Sequence, residues 1–162
     1  MIEFNGEQSN ECKLLIAREK SKKIGLLFTI INSIADIFIL VFGILNNKLF
    51  VSLLTAIIFL LLAVLTFITP KKQVSNVKIN TKIVITSDTI LMDYSTNFYT
   101  NKKTLTRKIS NIKKIIDFGI CYCIIFKHGD ITNSWICEKS LITKGSISNF
   151  EELFCKQIIK KQ

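Results

Sequence analysis

The sequence predicts an α+β membrane protein: a two-helix transmembrane hairpin, then a small antiparallel β-sheet domain capped by a C-terminal helix. Three observations carry that expectation. Two apolar runs, 24–45 and 49–68, are separated only by Asn46, Asn47 and Lys48; apolar residues alternate beyond Pro70; and an amphipathic segment around Phe150 closes the chain. At about 1.5 Å per residue the runs extend roughly 33 Å and 30 Å, enough to cross a hydrocarbon layer near 30 Å thick. The chain then divides into an N-terminal helix over 1–23, a hairpin over 24–69 and a polar domain over 70–162.

The stretch before the first run contains no proline and is compatible with a helix. Glu3, Glu7, Glu11 and Glu19 within it argue against a cleaved signal peptide. Lys13, Arg18, Lys20, Lys22 and Lys23 precede the first run, and Lys71, Lys72, Lys78 and Lys82 follow the second, whereas the connecting loop has only Lys48. Positive residues stay inside, so the expected topology is multi-pass in the plasma membrane with both termini cytosolic.

Asp36 is the one charge within either run. Insertion scales price it at ~2.5 to 3.5 kcal/mol, and the fifteen Leu, Ile, Val and Phe of the same run, at ~0.3 to 0.6 each, outweigh it. Gly25, Thr29, Asn32, Asp36 and Gly43 recur at helical spacing, and Ser52, Ala56, Ala63 and Thr66 do the same in the second run. Two small-residue stripes suit close helix packing in lipid, so Asp36 is expected at a helix interface or an oligomer contact.

Pro70, Lys71 and Lys72 end the second helix. Strands are expected over 81–86 and 90–94, with a turn at Ser87 and Asp88, and over 105–109. The alternation Ile116, Phe118, Ile120, Tyr122, Ile124, Phe126 predicts a longer strand divided at Gly119. His128, Gly129 and Asp130 predict a reverse turn leading to Ile131, Asn133, Trp135 and Cys137. Ser148 and Glu151 have capping-box spacing, and Phe150, Leu153, Phe154 and Ile158 would share one face of a closing helix ending at Lys160 and Lys161.

Residues 71–162 hold 16 Lys or Arg against 7 Asp or Glu, so nearly all of the net charge of +10 lies there. The basic residues are spread along the domain without a nucleic-acid recognition motif, so anionic lipid headgroups are the expected attraction and nucleic acid is not. Lys102, Lys103, Arg107, Lys108, Lys113 and Lys114 are the densest group and the candidate contact surface. Cys12, Cys121, Cys123, Cys137 and Cys155 contain no CxxC pair, and His128 stands alone, so buried reduced thiols are expected and no metal site or cofactor. Asp93, Asp117 and Glu138 read as solvated strand-end carboxylates. No nucleophile with a base and no phosphate-binding loop is present, and no catalytic residue is expected.

Residues 109–115, Ile-Ser-Asn-Ile-Lys-Lys-Ile, resemble the Trp-x-x-Ile-x-x-Ile segment of the YcxB-like family of small bacterial membrane proteins. Residues 136–141, followed by Phe150 and Leu153, resemble its Ile-Pro-Lys-Arg-x-Phe stretch and closing helix. Ile109 replaces the family's Trp and Cys137 its Pro. The resemblance implies a pleckstrin-homology-like (PH-like) soluble part and implies no reaction. The expected function is thus a membrane-anchored, cytosol-facing binding or regulatory module for an anionic headgroup or a membrane protein partner. An oligomeric small channel or transporter accessory subunit is the alternative, and an immunity or stress protein a further one.

Overall fold

The computed structural model describes residues 1–68, 77–97 and 99–161, with side chains for 1–62, 77–97 and 104–161. Pro70, Lys71 and Lys72 lie outside the described residues, as do the side chains of Ala63, Thr66, Lys102 and Lys103. The chain is α+β and forms two compact units, one of residues 1–13 with 75–162 and the other of residues 14–74.

Among the described residues the first unit has nine strands. A five-stranded antiparallel sheet has the order β4-β3-β2-β1-β8, comprising β1 (Ile2–Glu7), β2 (Ile79–Ile85), β3 (Thr89–Thr96), β4 (Tyr99–Lys108) and β8 (Ile142–Lys144). A four-stranded sheet has the order β7-β6-β5-β9, comprising β5 (Ile112–Asp117), β6 (Cys121–Phe126), β7 (Trp135–Glu138) and β9 (Ile158–Lys160), with β9 parallel to β5. Period-two alternation turns one face of each strand inward. Phe4, Ile83, Ile85 and Ile90 from the first sheet meet Ile115, Tyr122, Ile124, Phe126 and Trp135 from the second in one core, closed by Phe150 and Phe154.

The N-terminal stretch expected to be helical begins as a strand. Ile2 and Phe4 are buried and β1 pairs with β2 along its whole length, from Ile2 opposite Ile85 to Glu7 opposite Asn80. Helix α1 (Asn10–Leu45) follows after two residues. Ser9 caps it, its Oγ accepting from Cys12 N at 3.1 Å, and Ser9 N donates to Glu138 Oε2 at 2.8 Å.

The closing segment also departs from expectation. Helix α3 (Ile147–Leu153) is two turns long, and its cap is Ser146, whose Oγ accepts from Asn149 N, in place of Ser148. Ile158 lies in β9, where strand pairing with Ile115 replaces the helical face. Gly119, at φ +84°, makes the break between β5 and β6 that the alternation predicts. After the His128–Asp130 turn, Ile131–Asn133 is a 3-10 turn, so β7 starts only at Trp135.

The second unit contains most of α1 and helix α2 (Leu49–Ile68). Asn47 is left-handed (φ 55°), Lys48 N donates to Gly43 O at 2.8 Å and Asn47 N to Ile44 O at 3.3 Å. This paired capping pattern is how an Asn ends a helix sharply. α1 is long and apolar enough to cross a membrane, and its apolar surface is open, with Phe38 72% and Phe42 68% exposed.

Candidate functional site

Gly25, Asn32 and Gly43 are buried, as is Ser52 on α2, while Thr29, Asp36 and Ala56 are half-buried. Thr29 Oγ1 donates to Gly25 O and Ser52 Oγ to Leu49 O, both at 2.8 Å, so these hydroxyls are satisfied by their own helices. Asn32 Nδ2 and Asp36 Oδ1 are buried and have no hydrogen-bond partner among the described residues. Gly43 sits tightly against Ser52, where an added Cβ would lie 2.5 Å from the serine Cβ.

The basic group is divided between β4 and β5, strands of different sheets. Arg107 on β4 is opposite Ile90, on the inward face, and its guanidinium lies 4.5 Å from the Phe126 ring centroid and 5.7 Å from that of Trp135. Its exposed side chain lies over these two core rings in cation–π contact. Lys108 is exposed at the end of β4, Lys113 is the exposed extra residue of a bulge in β5, and Lys114 is half-buried. Lys102 and Lys103 lie in β4, with Lys103 opposite Tyr94. Sequence proximity thus disperses over two sheets.

The carboxylates expected in solvent are structural instead. Asp117 is 7% exposed, pairs with Lys139 Nζ at 2.9 Å and accepts from Gly119 N at 2.8 Å. Glu138 is 6% exposed and ties Ser9 and Ser140 to the sheet through Oε2 and Oε1. Tyr122 donates to Glu151 Oε1 at 2.6 Å, and burial with this contact pushes its phenol up from its ordinary value. These contacts join β6 to α3 and β7 to the start of α1.

Cys12, Cys121, Cys123 and Cys137 are buried and reduced, whereas Cys155 is exposed. Burial pushes the Cys137 thiol up, away from the reactive thiolate. No group of three or more His, Cys, Asp and Glu among the described residues is arranged to hold a metal. Sequence reading missed the anchoring role of Glu138, whose partner Ser9 is 129 positions away.

The arrangement defines an α+β chain with a long apolar helix and a basic β unit. No family model matches it, and neither a curated protein nor a solved structure does.

Proposed function

We propose that the chain is a membrane-anchored binding or regulatory module, without catalysis, whose two apolar helices cross the plasma membrane as a hairpin and hold the basic β unit on the cytosolic side. One observation carries this reading. The helical segment is an insertion between β1 and β2, and its two ends issue from adjacent strand ends at Glu7 and Asn80. A chain that leaves and rejoins one folded unit crosses a bilayer an even number of times or not at all. Since α1 is long and apolar enough for one crossing, α2 supplies the return. The excess of Lys and Arg beside the helices orients the hairpin with its loop outside.

The exposed Lys108 and Lys113 are the residues we assign to an anionic headgroup or an acidic face of a membrane protein partner. The likeness to the YcxB-like family and its PH-like part belongs to the same proposal; apolar helices followed by strands and helix α3 support it, and β1 before the helices and β9 after α3 are additions to that order.

A second reading rests on Asn32 Nδ2 and Asp36 Oδ1. Buried polar groups without partners gain from hydrogen bonds across a helix interface, which favours self-association of the hairpin and leaves an accessory or channel role open to test.

A cysteine introduced at Asn47 tests the anchoring. In intact cells, with the exposed Cys155 replaced by serine, it is expected to react with an impermeant maleimide, while one at Lys108 reacts only after permeabilisation. Labelling of both positions from the same side refutes the topology.

A further inference from the structure

The outward face of the five-stranded sheet contains a recess of about 300 Å3 whose walls include Asn5, Asn80, Lys82, Asp93 and Ser95. Strand register builds it. Asn5 stands opposite Lys82 and Lys82 opposite Asp93, and Asn80 faces Ser95 one row away. These positions alternate with the core residues Phe4, Ile83 and Ile85, so their side chains share the face turned from the core.

Two features separate this recess from ordinary polar sheet surface. Asp93 Oδ1 is buried and has no hydrogen-bond partner among the described residues. The cation that register places beside it, Lys82, is drawn aside: its Nζ lies 3.6 Å from Glu3 Oε1, on a carboxylate that Lys144 also holds through Oε2 at 3.1 Å. The result is a carboxylate with one unpartnered oxygen on one wall, the 45% exposed side chain of Lys82 on another, and carboxamides and a hydroxyl around them.

We propose that this recess binds a small zwitterion, its primary ammonium donating to the Asp93 carboxylate and its anionic group facing Lys82. A simple anion would meet Asp93 and a simple cation would meet Lys82, so a ligand with both charges a few bonds apart is the complementary one. The volume is at the lower end of small-molecule sites. Phosphoethanolamine, free or as a phospholipid headgroup, has this chemistry. The site is distinct from Lys108 and Lys113 and does not depend on the membrane reading.

Titration calorimetry of the full chain in detergent, with phosphoethanolamine, ethanolamine and inorganic phosphate as separate probes, tests it. Phosphoethanolamine is expected to bind saturably and at least tenfold more tightly than either fragment. Asp93→Asn is expected to weaken phosphoethanolamine about tenfold or more, through loss of a charge-assisted hydrogen bond. Lys82→Met is expected to weaken phosphoethanolamine while leaving ethanolamine unchanged. Should Asp93→Asn lower the melting temperature, Ser95→Leu, which fills the recess from the other side, replaces it and is expected to abolish binding.

Competition by phosphatidylethanolamine vesicles, and not by phosphatidylcholine vesicles whose quaternary ammonium has no hydrogen to donate, assigns the ligand to a lipid. Competition by neither vesicle assigns it to the free molecule. No saturable binding of phosphoethanolamine, or equal affinity in wild type and both recess variants, overturns the proposal.

Discussion

Glu7, the last residue of β1, stands opposite Asn80 at the start of β2. The chain therefore leaves and rejoins the β unit at the same end of two adjacent interior strands, and the unit is completed by residues that precede the helices. Strand β1 is interior to that sheet, between β2 and β8.

A fragment of residues 70–162 consequently lacks an interior strand and the buried side chains of Ile2 and Phe4. It is expected to show no cooperative thermal transition by circular dichroism. Joining residues 1–13 to 75–162 through a short Gly/Ser linker is expected to restore one, because Glu7 and Asn80 already stand opposite each other and the closed loop is short. A sharp transition in the 70–162 fragment would contradict the assignment of β1.

Close approach of the helices at Gly43 and Ser52 gives a second prediction. The 2.5 Å separation of an added Cβ from Ser52 Cβ is not relieved by rotating the serine, so one backbone has to move. Gly43→Ala is expected to cost about 1–3 kcal/mol of hairpin stability, measured by unfolding in mixed detergent micelles. Adding Ser52→Gly should recover most of that loss, and a full loss that persists in the double variant would place the contact elsewhere.

The helices were legible in sequence because an apolar run and an Asn-Asn-Lys break are local signals, as the left-handed Asn47 shows. Strand β1 was not legible, since its pairing partners lie beyond both helices and no local pattern announces them. The same limit hid the burial of Asp117 and Glu138: each is enclosed by residues far away or across a turn, Lys139 and Ser9 respectively. Helix α3 is shorter than its amphipathic pattern because β5 offers residues 158–160 a strand partner. The surroundings of Asp93 depend on the register of β1, β2 and β3, which no local sequence pattern encodes.

Stability should depend on pH through Glu3. The hydrogen bond from Lys144, with Lys82 adding its charge, holds this carboxyl below its ordinary value of 4.5 against the opposing effect of burial. A carboxyl lowered on folding contributes stability that is present above the unfolded value and disappears as pH falls through the folded one. Replacement by Glu3→Gln removes that contribution. The urea midpoint of the variant is expected to lie below wild type by a constant gap from pH 7 to about pH 5, with the gap closing under more acid conditions. A gap that widens in acid would reverse the sign of the argument.

Phe150 concentrates the packing of the β unit. It is fully buried, its ring meets Phe4 edge-on at 5.6 Å, stacks on Tyr122 at 4.5 Å and lies 4.9 Å from Phe154. One side chain of α3 thus touches the strand preceding the helices, the strand at the centre of the second sheet and the end of its own helix. Truncation to alanine is expected to cost about 3–5 kcal/mol, which is a large part of the 5–15 kcal/mol typical of a domain. Phe150→Leu keeps most of the volume and should lose less than half as much. Urea denaturation of the linked β unit distinguishes them; an alanine variant within about 1 kcal/mol of wild type would mean that α3 docks on the sheets without entering their core.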